Sequence, residues 1–280
     1  MLLVTGHRGF IGTRLCDELE ARGIKYVGYD LVEGNDIRDA HQLDKFFEEN
    51  QIDRVIHLAA LAGVRRGEDY QADYIATNIV GTDNVLRISE KYNVSKVILF
   101  SSSSVYDEEG DFNPRSFYGI TKYASEFLPN RYSLNSVVIV RPFTVYGENG
   151  RKDQVFYKWI NQIKEGKILE FYGKGDSERS YTYVGDLVDG VIKILEKNFL
   201  AKREHFDLGG AESIRLKDVL KIYEEVVPHI EVSMVPQPKA DANKNVADIS
   251  KARNVLGYDP RPIFEERLRK ILRHEFGKKT

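Results

Sequence analysis

The chain opens on a short apolar run, Met1 to Val4, followed at once by Thr5-Gly6-His7-Arg8-Gly9-Phe10-Ile11-Gly12 and then the helical pattern TRLCDELEARG. No other stretch constrains the fold as much. Glycines at every third position between a strand and a helix permit a tight turn. They also let backbone approach a pyrophosphate at the helix N-terminus. A glycine turn that binds nothing would look the same in isolation, so its weight comes from the strand-turn-helix setting. Gly23 ends the helix, and a second strand, KYVGYD, finishes at Asp30. An acidic residue about 20 positions past the glycines can bond the ribose hydroxyls of an adenine dinucleotide. It would repel a 2′-phosphate, so it favours NAD over NADP. The bland reading of Asp30 is a turn residue or a cap.

The alternation continues. Asp36 and Ile37 are placed to bracket an adenine, with Asp39 as a plain helix cap before QLDKFFEEN. RVIHLAA is near-continuously apolar, as a strand buried on both faces should be. His57 within it reads as a structural residue. After Leu58, the residues Ala59, Ala60 and Ala62 are small, as needed where backbone lies against a cofactor. Arg65 and Arg66 follow, either as a solvated pair or facing an anionic substrate. DYIATNIVGTDNVLRISEKYN reads as one long helix. Asn78 inside it calls for a core hydrogen bond or a polar contact near a site, since asparagine is a poor helix former. KVILF is the next strand. Strand-helix alternation of this kind predicts α/β architecture, a doubly wound parallel sheet with its ligand at the C-terminal strand ends.

The strand KVILF delivers the stretch Phe100–Lys122 to that edge. Four serines, Ser101 to Ser104, come first, and Tyr118 and Lys122 follow a polar loop, four residues apart. If Tyr118 opens a helix, both side chains share one face. A lysine cation beside a phenol favours the phenolate, so the tyrosine pKa should fall and the group should act as a base. A serine hydroxyl could hold a substrate oxygen nearby. Pro129 should end the helix.

Composition narrows the class. At 280 residues the chain can bury the core of one large domain, or of a domain with a smaller lobe. A net charge of −2 sets up no field for nucleic acid or an anionic membrane, so neither partner is expected. One cysteine, Cys16, excludes a disulfide framework and a cysteine-rich metal site, and no metal is expected. No basic n-region precedes an apolar core, so no signal peptide is expected. No apolar run approaches the ~18–20 residues of a membrane span. The expected setting is the reducing cytoplasm.

The second half loses the simple alternation. SVVIVRPF is a buried strand, and QVFYKWINQIKEG, DLVDGVIKILEK, RLKDVLKIYEEVV, SKARNVLGY and PIFEERLRKILRHEF read as helices. Val235–Asp248, rich in Pro, Lys and Asn, reads as a loop. The expected division is a Rossmann-type domain over residues 1–148, regained around 183–207, with residues 149–280 mainly a smaller C-terminal α/β substrate lobe.

Taken together, TGHRGFIG, Asp30, HLAA, Asn78, SSSSVY, Tyr118 with Lys122, RPFTVYG, RSYTYVGDLVDG and ADISKARNVLGY resemble the extended short-chain dehydrogenase/reductase family, in its nucleotide-sugar epimerase and dehydratase branch. They follow the family's order over nearly the whole chain. The resemblance implies an NAD cofactor. Gly6, Gly9, Phe10, Ile11 and Gly12 would cradle its pyrophosphate, and Asp30, Asp36 and Ile37 would hold its adenosine. Leu58, Ala59, Ala60, Ala62, Asn78 and Ser101 would line it. Tyr118 would be the base, with Lys122 on the nicotinamide ribose. The catalytic hydroxyl would be Ser102, with Ser103 as its rival. Ser102, Ser103, Tyr118, Thr144, Arg151, Arg179 and Asp241 would contact a nucleotide-sugar.

The implied chemistry is oxidation at C4 to a 4-keto sugar and re-reduction on the other face. Related dehydratases and decarboxylases need a carboxylate just after the catalytic hydroxyl, and Ser103 and Ser104 stand there instead. Reductases usually draw on NADPH, which Asp30 disfavours. Epimerase is therefore the leading reading, most like UDP-glucuronate 4-epimerases in LAGVRRGEDY and RPFTVYGENGR, with UDP-hexoses as competitors. The 4,6-dehydratase, decarboxylase and reductase are retained as alternatives, as is a non-catalytic NAD-binding sensor. A homodimer is expected, although Pro129 shortens the helix that often builds the family's dimer interface, and the loop Asp107–Arg115 is shorter than most relatives carry.

Overall fold

The computed structural model of the chain describes residues 1–238 and 241–277. Strand β1 (Leu2–Thr5), helix α1 (Phe10–Ala21), β2 (Tyr26–Tyr29), α2 (Ala40–Asn50) and β3 (Arg54–His57) come first. Asp39 caps α2 through the amides of His41 and Gln42. Short helices α3 (Val64–Asp69) and α4 (Gln71–Tyr74) lead into α5 (Thr82–Lys91). Then come β4 (Lys96–Phe100), α6 (Phe117–Phe127), β5 (Val137–Pro142), β6 (Val145–Tyr146) and α7 (Val155–Lys164). After β7 (Leu169–Tyr172), β8 (Glu178–Ser180) and β9 (Thr182–Tyr183), helix α8 (Val184–Glu196) and β10 (Arg203–Leu208) follow. The chain ends with β11 (Ser213–Arg215), α9 (Leu216–Val226), β12 (Val232–Val235), β13 (Lys244–Asn245), α10 (Ser250–Leu256) and α11 (Phe264–Phe276).

The main sheet has the order β10-β5-β4-β3-β1-β2, and every neighbouring pair is parallel. Its strands are apolar on both faces because both faces are covered. Leu2, Val4, Ile56, Ile98 and Val138 point to a core shared with α1 and α8. The alternate residues Leu3, Val55, Val97, Leu99 and Val137 point to a second core shared with α2 and α5. The strand order reverses between β1 and β3. A doubly wound sheet opens its ligand crevice at such a switch, outside the carboxyl ends of the strands.

A third core lies apart from the sheet. Trp159 and Phe156 of α7, Phe171 of β7, Val219 and Tyr223 of α9 and Leu268 and Leu272 of α11 form it. Helix α10, late in the sequence, packs instead on the sheet's core through Ala252.

Two elements differ from expectation. The long helix through Asn78 is broken by a widened π turn, Ile75–Gly81, between α4 and α5. The segment read as a loop from Val235 holds β13, which pairs with β8, and β12 lies just before it against β7. Strands of two to four residues carry too little periodicity to be read from sequence.

Candidate active site

The site begins where β1 and β3 end side by side. Gly6 has φ of +71°, and a Cβ there would sit 2.7 Å from the Ala59 backbone nitrogen. A Cβ on Gly12 would sit 2.2 Å from the Gly6 carbonyl oxygen. The turn is therefore closed around backbone alone. Helix α1 starts at Gly9 with no side-chain cap and no acidic residue in its first turn. Its first amides are left for an external anion, as a pyrophosphate site requires. Phe10 and Ile11 pack partly into the core beneath.

Asp30 closes the far end of this turn. Its carboxylate accepts from the Arg8 amide at 2.9 Å and from the Val32 amide at 3.1 Å. Arg8 is the one feature of the turn that sequence reading left unused. Its guanidinium lies on Glu33 at 2.6 Å, and Glu33 also faces His7. The cation next to Asp30 is thus already matched by a second carboxylate, which keeps this end of the crevice unfavourable for a 2′-phosphate.

The residues expected to bracket an adenine lie beyond Asp30. The Asp36 carboxylate is held by the Arg38 guanidinium at 2.6 Å. The Ile37 side chain is 5% exposed, packed where a Cβ on Gly81 would strike it. The Ile37 side chain is thus spent on the core while Asp36 stays part-exposed, and Asn84 of α5 holds the stretch through the Ile37 and Arg38 carbonyls.

The loop after β3 is held at several points. The Thr5 hydroxyl oxygen accepts from the Ala59 amide at 3.2 Å and lies 2.7 Å from His57 Nδ1. His57 Nε2 meets the Thr82 hydroxyl at 3.0 Å. The imidazole thus bridges the Thr5 and Thr82 hydroxyls through its two ring nitrogens. Burial, helped by the Lys122 charge, pushes the His57 pKa down to about 3, so the ring is neutral. Leu58 is tied by its amide to the Thr5 carbonyl, and the carbonyls of Ala62 and Gly63 accept from the Tyr74 hydroxyl. Ala60 lies between these anchors. Asn78 is fully buried, and its side chain is spent on Leu61 and Thr121. Direct contact of Asn78 with a cofactor is therefore corrected to a role in fixing the loop.

The serine stretch follows β4. Ser101 is held through its amide, but its hydroxyl is buried with no partner, a group left for a ligand. Ser102 caps a single 3₁₀ turn, Ser103–Val105, accepting from the Ser104 amide at 3.1 Å. Ser103 is 6% exposed. Helix α6 then presses on this turn, since a Cβ on Gly119 would lie 2.3 Å from the Ser104 carbonyl oxygen. Ser116 caps α6 through the Gly119 amide at 3.0 Å.

That packing sets Tyr118 against Ser102. Tyr118 is half-buried beneath α3, with the Tyr74 ring edge-on at 6.2 Å. Burial raises its pKa, opposed by the Ser102 hydroxyl and by the Arg151 charge. Lys122 shares its helix face, yet it makes no resolved contribution to that shift. Burial lowers the Lys122 pKa to about 8, with the Glu126 carboxylate pulling the other way. The expected fall of the tyrosine pKa is thus corrected: in the ligand-free protein desolvation outweighs charge. Glu126 is itself clamped by both arms of Arg141, at 2.9 and 2.7 Å, and Arg141 also bonds the Tyr106 hydroxyl.

The remaining residues converge from the second half. Thr144 lies between β5 and β6, its carbonyl accepting from the Thr182 amide. Arg151 reaches the Tyr118 neighbourhood with Asp153 alongside. Arg179 donates to the Ala242 carbonyl at 3.0 Å, and Asp241 takes the Arg65 guanidinium at 2.9 Å. Arg65, read as a surface or anion-facing residue, instead joins the two halves of the crevice.

A parallel sheet with its switch point over a bare helix N-terminus, and a tyrosine-lysine face beside it, define a dinucleotide-dependent enzyme. The profile of the NAD dependent epimerase/dehydratase family matches residues 2–209, and the chain belongs to that family, with NAD as its cofactor. It is 32% identical to a UDP-glucuronate 4-epimerase of Thermodesulfobacterium geofontis, over 96% of this chain and 94% of the relative. The structure is similar to UDP-glucuronic acid 4-epimerase from Bacillus cereus, solved with UDP-glucuronic acid and NAD (TM-score 0.86, 29% identity, 98% of this chain, 99% of that one). It is also similar to MoeE5 in complex with UDP-glucose and NAD (TM-score 0.88, 28% identity, 97% of each chain). No helix among the described residues is long and apolar enough to cross a membrane.

Proposed function

We propose that the protein is a UDP-hexuronate 4-epimerase, inverting C4 of UDP-glucuronate through a transient C4 ketone. The observation that carries this reading is the Ser102–Tyr118 pairing in a turn without a carboxylate. Ser103 and Ser104 follow Ser102, so elimination or decarboxylation would lack its acid or base. The carboxylates just beyond are committed: Asp107 accepts from the Glu109 and Asp111 amides, and Glu108 from Asn243. Two relatives that act on or bind UDP-glucuronate support the uronate, while the MoeE5 complex keeps UDP-glucose as the second reading.

NAD, when bound, supplies the place to which the C4 hydrogen leaves as hydride and from which it returns. Tyr118 takes the proton of the C4 hydroxyl and gives it back, with the Ser102 hydroxyl holding the same oxygen. Ser102 rather than Ser103 does so, because Ser102 is the hydroxyl set against the phenol. Lys122 holds the nicotinamide ribose, and its charge favours the phenolate once the crevice is filled. The glycine turn, Asp30, the loop Leu58–Ala62 and Ser101 bind the dinucleotide. Thr144 at the sheet edge, with Arg151, Arg179 and Asp241 from the smaller lobe that spans most of residues 149–280, contact the nucleotide's diphosphate or its base and ribose.

The protein works as a homodimer in the cytoplasm. Ile120 and Phe127 on α6 are 49% and 54% exposed, and Ile75 and Val80 of the adjoining π turn are 44% and 49% exposed. That is an apolar face of the kind a second copy covers.

The test is to purify the protein, look for bound NAD, and incubate it with UDP-glucuronate, UDP-glucose and UDP-N-acetylglucosamine. Products are resolved by NMR. Inversion at C4 without net NADH is the expected outcome. Release of water or CO2 would overturn the reading, and dependence on added NADPH would point to a reductase.

A further inference from the structure

The segment Asp241–Asn245 lies in what sequence reads as a featureless loop. In the fold it bends at Asp241 and Asn243 and then forms β13, with Lys244 and Asn245 paired to Glu178 and Arg179 of β8. Here Asp241, Asn243 and Asn245 all face the Rossmann-side loops. Asp241 takes Arg65 from the loop after β3 at 2.9 Å. The Asn243 amide and Nδ2 both donate to Glu108 Oε1, at 2.9 and 3.0 Å. Asn245 Nδ2 donates to the Ser103 carbonyl at 3.2 Å. From behind, the Glu178 amide donates to the Asn243 carbonyl at 2.8 Å, and Arg179 holds the Ala242 carbonyl.

The last of these bridges acts on the chemistry. The Ser103 carbonyl is also the acceptor for the Tyr106 amide at 3.2 Å, so it helps close the turn that Ser102 caps. Asn245 is 7% exposed, and water does not readily replace its donor. Glu108 belongs to the short loop Asp107–Arg115, whose Asp107 carboxylate folds it back on itself through the Glu109 and Asp111 amides. That tight folding keeps Glu108 within reach of Asn243.

We propose that Asn245 is a positioning residue of the reaction: it carries the placement of the substrate-side lobe into the serine turn, and the Glu108–Asn243 clasp keeps the strap seated. Its consequence for rate rests on the epimerase reading; its geometry does not.

The experiment compares wild type, N245D and N245A. Asp in place of Asn keeps the shape and puts an acceptor against the Ser103 carbonyl. Hydrogen–deuterium exchange of the ligand-free proteins is read over residues 102–106, and kcat and KM are then measured with UDP-glucuronate. Both variants should exchange at least roughly fivefold faster over the turn. Their kcat should fall roughly tenfold, with KM and NAD affinity within about twofold. Unchanged exchange in a folded variant, or faster exchange with unchanged kcat, overturns the proposal. E108A, altered at a part-exposed side chain, should show the same faster exchange at residues 102–106 and decides the matter if neither Asn245 variant folds. Should the wild type invert no UDP-sugar, the epimerase reading falls alone, and the exchange comparison still decides whether Asn245 holds the turn.

Discussion

The Leu61 amide donates to the side-chain oxygen of Asn78 at 2.8 Å, and the Asn78 amide nitrogen returns a bond to the Leu61 carbonyl at 3.0 Å. One side chain thus satisfies both backbone groups of a residue in the cofactor-facing loop, from inside a π turn. Replacing Asn78 with Ala removes these bonds and the one to Thr121, and should cost roughly 2–4 kcal/mol of stability. Because the loop Ala59–Gly63 loosens, NAD affinity should also fall, by roughly tenfold or more. Urea unfolding and a fluorescence titration with NAD check the two effects.

Tyr118→Phe should abolish C4 inversion, with a loss of roughly 10²–10⁴-fold in kcat. No backbone or core contact depends on the hydroxyl, so the fold and NAD binding should persist. Turnover above a tenth of wild type would exclude Tyr118 as the base.

Lys122 gives a pH signature. Its folded pKa, near 8, lies below the ordinary lysine value of 10.5 because it is buried. Between those values the unfolded chain binds more protons than the folded one. The contribution of Lys122 to stability therefore rises as pH goes from about 8 to about 10.5, and is lost as pH falls back through 8. The difference in unfolding free energy between wild type and K122M should change by up to about 3 kcal/mol across that window. Denaturant curves at pH 7, 8, 9 and 10 measure it, and a flat difference would contradict the burial.

Gly12→Ala tests the glycine turn. The added Cβ would lie 2.2 Å from the Gly6 oxygen, and backbone has to move to admit it. The variant should lose roughly 1–3 kcal/mol of stability and most of its NAD affinity. Thermal unfolding with and without NAD should show the NAD-dependent shift shrink.

Ile120→Glu tests the homodimer. The side chain is half exposed on α6, away from Tyr118 and Lys122, so a charge there should leave the monomer folded. Light scattering should show wild type as a dimer and the variant as a monomer. Two species of the same mass would reject this face as the interface.

Much of this was legible in the chain. The Gly6-Gly9-Gly12 spacing, Asp30 and the strand-helix alternation each follow from local chemistry: close backbone approach, a carboxylate at a strand end, and apolar runs buried on both faces. Tyr118 and Lys122 were legible as a pair because helical geometry fixes their common face. The burial of Ile37 and Asn78 was not, because whether a side chain near a crevice turns toward ligand or core is settled by what packs behind it.

The sequence by itself determined which residues could meet: Ser102 and Ser103 follow the C-terminal end of a strand, and Tyr118 and Lys122 lie one turn apart on the next long helix. Only the tertiary structure decided their state. Desolvation, a property of the assembled fold, raises the Tyr118 pKa rather than lowering it and brings Lys122 down toward 8. The contacts that tie Arg65 to Asp241, Glu108 to Asn243 and Asn245 to Ser103 span more than a hundred residues each. No local pattern encodes such pairings, because they arise only when the second half of the chain folds across the edge of the sheet.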